Sequence, residues 1–293
     1  MMKLQTPVTD EKCKVGISYK DKILLAGSCF TDNIGQHLKD YGFDVQINPF
    51  GTLYNPASIL NAFELIAGNY TFTENDCVQI GAGDERWCSF FHHTSFARAT
   101  KEEFLKHAND ALREAREYFA QADKVVITLG TSWCFRHLSR GMIVSNCLKH
   151  PAAEFVRERL SADEVTSALK RIHAICNTPS TAGRQKHMIF TVSPIRHFKD
   201  GAHGNQISKA SLLLGIEDFL RTQTDMADYF PAYEIVMDEL RDYRFYAEDM
   251  CHPSAQAIGY IRDRFLGWAL PADEHPLLEE NIRKFRHESH RKA

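Results

Sequence analysis

The chain contains the stretch Lys22-Ile-Leu-Leu-Ala-Gly-Ser-Cys-Phe-Thr31, in which a short apolar run ends at a glycine and a serine. The aliphatic residues are continuous rather than alternating, which is typical of a strand covered on both faces. The residues from Thr31 to Asp40 have a helical pattern, so we predict a buried strand that passes almost directly into a helix. That unit is the building block of a parallel α/β sheet.

Four further apolar runs repeat this unit along the chain. The runs predicted as strands are Gly42–Asn48, Lys124–Gly130, His187–Ser193 and Tyr233–Met237. The predicted helices that alternate with them are Asn55-Pro56 to about Ala67, Lys101–Gln121, Ser161–Asn177, Gln206–Gln223 and Ser254–Trp268. Five strands alternating with helices predict a parallel sheet in a flavodoxin-like, three-layer α/β/α sandwich.

Two segments interrupt this alternation. Residues 70–99 carry Gly81-Ala-Gly-Asp84 between two short apolar runs, which predicts an inserted β-hairpin. Residues 139–153 form a second irregular excursion, expected above the sheet. Because there are no internal repeats and no low-complexity linker, we expect one domain over residues 1–293. Its basic tail, 277–293, is interpreted as a solvated helix.

Composition excludes several classes of protein. The 293 residues are 44% hydrophobic and 25% charged, with a net charge of −3, so we expect neither disorder nor nucleic-acid binding. The eight cysteines form no CxxC pair, which argues against a disulfide framework and a structural zinc site. The N-terminal stretch lacks the apolar run of a signal peptide, and no segment is long enough to span a bilayer. We therefore expect a cytoplasmic protein without a membrane partner, whose oligomeric state the sequence does not specify.

The junction between the first strand and its helix is a candidate site of chemistry. Ligands of open parallel sheets collect beyond the carboxyl ends of the strands. Ser28 lies at such an end, where a helix N-terminus favours developing negative charge; the alternative is that Ser28 only caps the helix. Cys29 is a competing nucleophile at the same helix N-terminus. Since adjacent side chains point in different directions, only one of the two can face a common base.

A second candidate group precedes the last predicted helix, in Asp249-Met-Cys-His-Pro253. Pro253 disfavours helical geometry at His252 and so keeps the imidazole on a loop. Asp249 can fold round to one ring nitrogen, leaving the other to take the proton of a hydroxyl group, as in a serine triad. A surface turn is the alternative for this pair on its own. Combined with a serine at a strand end, the pair predicts nucleophilic catalysis, with Cys251 interpreted as packing.

These motifs resemble those of the GSCFA family, whose signature matches Gly27-Ser-Cys-Phe-Thr31 except for the fifth residue. The other segments that carry the resemblance are Asn48–Pro56, Thr128–Thr131, Thr191–His197 and Tyr243–Tyr246 with Asp249 and His252. The resemblance implies membership of the SGNH/GDSL hydrolase superfamily. It also implies that Ser28 is the nucleophile, His252 the base and Asp249 its orienting partner. The backbone N–H groups of Ser28 and Gly51 would then form the oxyanion hole.

One block departs from the superfamily pattern. Where an asparagine that donates to the oxyanion is expected, this chain has Gly130-Thr-Ser132. Loss of one such donor typically costs about 2.7–4 kcal/mol of transition-state stabilisation. We therefore expect a replacement donor, either a hydroxyl group of Thr131 or Ser132 or a side chain from elsewhere, such as Asn146 or His197.

The residues after the fourth predicted strand supply candidate substrate contacts. Arg196 and His197 are expected on the active face, and His93 at the end of the inserted hairpin is a candidate pocket wall. A metal site would need His197 and His203 to converge with Asp200, but this spacing matches no common ligand pattern. We therefore predict no metal and no cofactor.

The sequence thus favours an SGNH-type serine esterase acting on a carboxylic ester, through an acyl-enzyme on Ser28. The expected substrate is a small-molecule or carbohydrate ester. The alternatives are an O-acyltransferase that uses the same acyl-enzyme and a non-catalytic binding protein on a degenerate hydrolase fold. A decisive geometric expectation is that Ser28 Oγ lies within hydrogen-bond distance of a His252 ring nitrogen.

Overall fold

A parallel sheet of five strands forms the centre of the computed structural model, which describes residues 6–9, 13–178, 184–223 and 225–292. The first five residues of the N-terminal stretch and Ala293 of the basic tail lie outside the described residues. The sheet has the order β10-β9-β5-β1-β2 and consists of β1 (Lys22–Gly27), β2 (Asp44–Ile47), β5 (Lys124–Leu129), β9 (His187–Val192) and β10 (Ala227–Tyr229). The remaining strands belong to the two insertions.

The register of the central strands brings their carboxyl ends together. Gly27 at the end of β1 pairs with Thr128 of β5, and Thr128 pairs in turn with Thr191 of β9. Since adjacent strands lie about 4.8 Å apart, the segments that follow β1, β5 and β9 meet at one edge of the sheet. The chain therefore assembles its junction residues without any long loop.

Helices cover both faces of the sheet. They are α1 (Cys29–Asp40), α2 (Pro56–Ala67), α3 (Lys101–Gln121), α4 (Ala162–Cys176), α5 (Gly201–Leu220), the single turn α6 (Ala232–Glu234), α7 (Ala255–Ala269) and α8 (His275–Lys292). The sheet separates two hydrophobic cores, and alternate residues of β1 face one or the other. Leu24 packs with α2–α5, whereas Ile23 and Leu25 pack with α1 and α7. This arrangement confirms the predicted α/β class with its five-stranded parallel sheet.

The predicted fifth strand over Tyr233–Met237 is wrong. These residues continue from α6 into a π-helical segment, Ile235–Glu239, and the fifth strand is the shorter β10. The segment is buried, with Ile235 and Val236 at no more than 1% exposure. A helix buried on most of its surface presents the same unbroken apolar run as a central strand, so periodicity could not separate the two.

The insertions lie where the sequence predicted them, but the second is larger. The hairpin consists of β3 (Val78–Gln79) paired antiparallel with β4 (Trp87–Cys88). The excursion predicted over 139–153 is part of a three-stranded antiparallel sheet of β6 (Trp133–His137), β7 (Ile143–Val144) and β8 (Phe155–Arg159). Because β6 begins four residues after β5 ends, this sheet rises from the carboxyl edge of the central sheet.

The basic C-terminal segment forms α8, whose Lys284 pairs with Glu280 at 2.6 Å one helical turn away. Over the described part of the chain, the helices are too short or too polar to cross a membrane.

Candidate active site

A cavity of about 660 Å³ opens at the carboxyl edge of the central sheet. Its lining comes from segments that are distant in the chain: Cys29 after β1, Thr131 after β5, His197 after β9, and Asp249 and His252 before α7. The insertion adds a wall that includes Trp133, Asn146 and Arg157. The topology of the parallel sheet therefore brings these residues together at one site, as the positions of the strand ends in the sequence predict.

Asp249 and His252 form a pre-oriented pair. His252 Nδ1 lies 2.5 Å from Asp249 Oδ2, and Asp249 Oδ1 accepts the backbone N–H groups of Cys251 and His252, each at 2.9 Å. Met250, between them, has a φ of 56°, which folds the chain tightly enough for the carboxylate to reach back. The backbone N–H groups of His252 and Cys251 and the imidazole hold the pKa of the Asp249 carboxyl at about 2. The carboxylate stays ionised and fixes which ring nitrogen is left for chemistry.

That remaining nitrogen, His252 Nε2, forms no hydrogen bond with any described residue, and the side chain is half-exposed at the cavity. Ser254 caps α7 directly behind it by accepting the N–H of Ala257 at 3.3 Å. His252 is thus held at the start of a helix with one face free to exchange a proton, which is the role predicted for a general base.

Ser28 does not face this pair. Its side chain is fully buried, and its Oγ forms no hydrogen bond in the described part of the chain. A Cβ built on Gly130 would lie 3.4 Å from Ser28 Cβ, so the serine side chain is directed at the neighbouring strand end. The expected hydrogen bond between Ser28 Oγ and His252 is therefore not formed. Nor does the Ser28 side chain cap α1, the alternative raised by the sequence.

Cys29, the next residue, lines the cavity together with His252 and Asp249. Ser28 is extended and Cys29 is the first residue of α1, so the two side chains point in different directions; Ser28 is buried and the partly buried Cys29 faces the cavity. Burial raises the pKa of the Cys29 thiol, and the nearby Asp32 carboxylate adds to that rise. The backbone N–H groups of Cys29 and Phe30 and the Lys209 ammonium act in the opposite direction. The thiol at this helix N-terminus needs a base to become a nucleophile.

The two N–H groups predicted for the oxyanion hole form other hydrogen bonds in the structure. The N–H group of Ser28 donates to Thr128 O at 3.2 Å, and that of Gly51 donates to Asn48 O at 2.7 Å. Both groups are used by the local backbone: Ser28 continues the pairing of β1, and Gly51 closes a tight turn at φ +73°. Gly51 faces His93 rather than the cavity, since a Cβ placed on it would lie 2.6 Å from His93 Cβ.

The hydroxyl groups proposed as replacement donors are engaged or remote. Thr131 lines the cavity, but its Oγ1 shares a hydrogen bond with Ser208 Oγ at 2.9 Å and accepts the N–H of Trp133. Ser132 is fully buried with an Oγ that has no partner among described residues, and it does not line the cavity. Neither hydroxyl both lines the cavity and is free of hydrogen bonds to described residues.

Asn55 supplies a donor that the sequence analysis missed. It is the N-cap of α2, where its Oδ1 accepts the N–H of Ser58 at 2.8 Å. This bond fixes the amide plane, so Nδ2 must point the other way, and it bonds to no described residue. Asn55 lines the cavity beside Cys29 and Thr131. The sequence predicts the Asn55-Pro56 pair as a helix start. That role accounts for Asn55 Oδ1 but gives no sign that Nδ2 faces a cavity.

Of the four candidate substrate contacts, three line the cavity and one does not. Arg196, His197 and Asn146 contribute to its wall. His93 does not, because its side chain packs over Gly51 and its Nδ1 lies 3.1 Å from Ser95 Oγ. Burial lowers the pKa of His197 to about 4, with Lys209 and His252 adding to the effect. His197 is therefore a neutral wall residue at physiological pH.

A second cavity, of about 560 Å³, shares Arg196 and Phe198 with the first. The Arg196 guanidinium carbon lies 4.2 Å from the ring centre of Tyr246 and 4.6 Å from that of Phe198. Tyr243, 70% exposed, lines the outer side. Two adjoining cavities with a stacked cation between them can hold two parts of one molecule. Within the described residues, no group of three or more His, Cys, Asp or Glu side chains is placed to bind a metal ion.

Fold and site together define an α/β protein with a candidate nucleophile–histidine–carboxylate site at the carboxyl edge of a parallel sheet. The GSCFA family model matches residues 22–265, which include the β1–α1 junction, the Asp249–His252 pair and most of α7. The chain belongs to the GSCFA family. A search of curated proteins gave no match.

Proposed function

We propose that this protein is an acyl-enzyme hydrolase of carboxylic esters in which Cys29, rather than Ser28, is the nucleophile. The observation that carries the proposal is that Cys29 and the Asp249–His252 pair line the same cavity, whereas Ser28 is fully buried and does not line it. A nucleophile beside an oriented base is the arrangement that acyl transfer requires. No metal or cofactor is needed for this chemistry.

The reaction would run in two balanced steps. His252 Nε2 takes the proton of the Cys29 thiol as Sγ attacks the ester carbonyl carbon, and the ester C–O bond then breaks. The proton passes from His252 to the leaving alcohol, which leaves a thioester on Cys29. In the second step His252 takes a proton from water, the hydroxide attacks the thioester, and the C–S bond breaks. The acid is released and the thiol regains its proton from His252.

The oxyanion of each tetrahedral intermediate would be held by the first-turn N–H of Cys29 and by Asn55 Nδ2. Helix N-termini carry N–H groups without intrahelical partners, and Cys29 is the first residue of α1. Asn55 reaches the cavity from the neighbouring helix start. In this assignment the asparagine absent after β5 is replaced by one that precedes α2.

We further propose that the chain is a variant of the SGNH/GDSL hydrolase superfamily with a thiol at the nucleophile position. Two features support this. The Asp-x-x-His pair before a late helix resembles that of the superfamily, and the parallel sheet carries the proposed nucleophile at a strand–helix junction. A small acyl group carried on a carbohydrate is the substrate class proposed by analogy with that superfamily. The aromatic second cavity suits the sugar portion, because ring faces such as those of Tyr243 and Tyr246 stack on apolar sugar surfaces.

An O-acyltransferase is the second candidate, and the second cavity is the observation that favours it. An acceptor alcohol bound between Tyr243 and Arg196 would lie beside the acyl-enzyme and exclude water from it. The two candidates share the thioester on Cys29 and differ only in which hydroxyl group accepts the acyl group.

The test is acylation by p-nitrophenyl acetate, followed by p-nitrophenol release and by mass spectrometry of the modified peptide. We expect turnover in the wild type and in Ser28→Ala, loss of turnover in Cys29→Ala, and a slow acylation in His252→Ala. Cys251→Ala is the matched control, because Cys251 lines the same cavity next to the base and should leave turnover unchanged.

Three results bear on the alternatives. Turnover that survives in Cys29→Ala but is abolished in Ser28→Ala would return the nucleophile to Ser28. An acetyl group that stays on Cys29 until a sugar alcohol is added would favour the acyltransferase. A wild type that is acylated no faster than Cys29→Ala would leave the binding-protein alternative.

A further inference from the structure

Arg196 lines both cavities and places a positive charge where they meet. Its guanidinium group stacks on the rings of Phe198 and Tyr246, and its Nη2 donates to Met250 O. These contacts hold the group in one orientation. They do not neutralise it, because the two rings and the carbonyl group carry no net charge.

Part of this guanidinium group has no partner in the described part of the chain. Its Nε is buried and forms no hydrogen bond there. Its Nη1 forms none either, but this atom is accessible. Nor does Arg196 form an ion pair with a carboxylate of the described residues. An arginine held by aromatic rings, with a free N–H donor at a cavity, is arranged to bind an external acceptor.

The acidic side chains that line the two cavities mostly have cationic partners already. The pairs are Asp249 with His252, Asp200 with Arg157, and Asp242 with Arg244. The cations of the lining that form no ion pair with a described residue are Arg196, Lys199 and Arg241. Asp238 is the one carboxylate of the described lining without a cationic partner. Three cations against one carboxylate leave an excess of positive charge, which attracts anions.

Arg196 also lies against the turn that carries the proposed base. Its backbone N–H donates to Cys251 O at 3.1 Å, next to the side-chain bond to Met250 O. Both acceptors lie between Asp249 and His252 in the chain. In the proposed reaction His252 returns its proton to the leaving alcohol, so the alcohol portion of the ester is the half that lies beside this turn. A charged group that reaches Arg196 therefore belongs to the alcohol.

We infer that Arg196 binds an anionic group on the alcohol portion of the substrate, and that this protein acts on acyl esters of alcohols that carry a carboxylate or a phosphate. Guanidinium groups bind the oxygens of both anions through charge-assisted hydrogen bonds. Because stacking already restricts the side chain, little of its conformational freedom is lost on binding. That the ligand is an ester rests on the proposed function, whereas the anion site rests on the contacts and charge of Arg196.

The test is an NMR titration of the full chain with three sugars at constant ionic strength: D-glucuronate, glucose 6-phosphate and glucose. They share a hexose ring and differ in whether they carry a carboxylate, a phosphate or no charge. We expect at least one of the two anions to bind the wild type about tenfold more tightly than glucose, as a hydrogen bond to a charged group typically gives. The anion that gains affinity identifies the group as a carboxylate or a phosphate.

Four variants locate the preference for the anion. Arg196→Gln should bind the three sugars equally, and Arg196→Lys, which retains a charge, should keep part of the preference. Arg113→Gln is the matched control, because it removes the same charge from an exposed position on α3 that lines neither cavity. Arg241→Gln tests the other unpaired arginine of the second cavity. Both Arg113→Gln and Arg241→Gln should retain the preference of the wild type.

Equal binding of the three sugars by the wild type would overturn the inference, and so would a preference that survives in Arg196→Gln. If the arginine only supports the turn at Met250, Arg196→Gln will weaken the binding of all three sugars alike and leave the preference intact. If Arg196→Gln does not fold, the ¹⁵N signal of Arg196 Nε in the wild type decides instead. It must shift more with the preferred anion than with glucose, and an unchanged signal refutes the site.

Sugar binding uses no ester, so its outcome is separate from that of the proposed function. A chain that binds the anion and forms no acyl-enzyme would refute the esterase and leave the anion site standing. Conversely, turnover of p-nitrophenyl acetate on Cys29 without any preference for an anion would leave the esterase and remove the substrate class inferred from Arg196.

Discussion

The difference between Ser28 and Cys29 arises from a single peptide unit. Gly27 has a φ of +145°, and a Cβ there would lie 2.2 Å from Thr128 O, so the chain presses against β5 at this point. Ser28 keeps an extended conformation and its N–H continues the pairing with β5. The helix then begins at Cys29, whose side chain takes the outward direction. The orientation of two adjacent residues at this strand end therefore depends on a contact with β5, a strand distant in the chain, which the types of these two residues do not encode.

The Asp249–His252 pair was predictable for the opposite reason. Its geometry is local: the partners are three positions apart, Pro253 limits the backbone, and Ser254 begins the helix. Asn55 was missed because its helix-capping role accounts for it fully in sequence. What the other half of an amide faces depends on which distant strands meet beside it, and that is tertiary information.

Asn55 gives a test that separates catalysis from stability. We expect Asn55→Ser to lower kcat for p-nitrophenyl acetate by about 10²–10³-fold, because a serine removes the amide donor. Serine is as good an N-cap as asparagine, so the unfolding midpoint should change little. Kinetics and thermal unfolding of the same preparations check both expectations.

Ser161→Ala is the control for this test. Ser161 caps α4 by accepting the N–H of Glu164 and does not line the cavity. Its loss should reduce stability by about 1 kcal/mol and leave kcat unchanged. A normal kcat in Asn55→Ser would remove Asn55 from the oxyanion hole.

At the scale of elements, the sequence predicted the strands that end in glycine, serine or asparagine more reliably than the buried helix around Ile235. Four of the five predicted strands are present, with ends displaced by up to two residues. These strands are flanked by clear turn or cap residues. The failure at Tyr233–Met237 has a physical cause, since this run is mostly apolar and buried, and the exposed Asp238 of the π-helical segment comes only after it.

The contact between α4 and α5 depends on one glycine. A Cβ at Gly215 would lie 2.5 Å from Val165 Cγ1, and Val165 is fully buried and stiff. We expect Gly215→Ala to reduce the free energy of unfolding by about 1–3 kcal/mol. In α7, a Cβ at Gly267 would meet nothing within 4 Å, so Gly267→Ala should instead add about 0.5–1 kcal/mol through helix propensity. Urea unfolding measures both, and destabilisation of equal size at the two sites would contradict the close approach.

The inserted hairpin packs through a buried histidine that makes stability depend on pH. His92 is fully buried, stacked between Phe50 and Phe96, with ring centres 5.0 and 4.4 Å away. Burial lowers the pKa of His92 to about 3. Because the folded-state pKa lies below the unfolded value of about 6.5, the stability contributed by neutral His92 is lost as the pH falls through that window.

His92→Phe keeps a ring in this position and removes the titration. Relative to this variant, the wild type should lose about 1.4 kcal/mol of unfolding free energy for each pH unit between about pH 6 and pH 4. Denaturant unfolding at a series of pH values measures the difference. Parallel curves for wild type and His92→Phe would show that His92 is not the group responsible.

At the scale of the whole molecule, the candidate site joins the two ends of the matched region. Cys29 follows the first strand and His252 precedes α7, while Ile17 N–H donates to Ala269 O at 2.9 Å and so links the segment before β1 to the end of α7. The same sheet separates two hydrophobic cores that contribute opposite walls to the junction. A site that depends on both cores requires them to fold together. The prediction of a single domain therefore implies that the two cores unfold cooperatively.

Cooperative unfolding of the two cores can be tested with one truncation on each face. Phe63 in α2 and Ile261 in α7 are both at most 1% exposed, and each replacement by alanine should cost about 2–5 kcal/mol. If the chain is one cooperative unit, Phe63→Ala will accelerate hydrogen exchange in α7 as well as in α2, and Ile261→Ala will do the same. Within each variant the opening free energy should fall by the same amount on both faces of the sheet. Leu214→Ala, at a position that is 57% exposed, is the control and should change neither. Exchange that accelerates only on the truncated face would mean that the sheet separates two independent units, and the site would then lie between them.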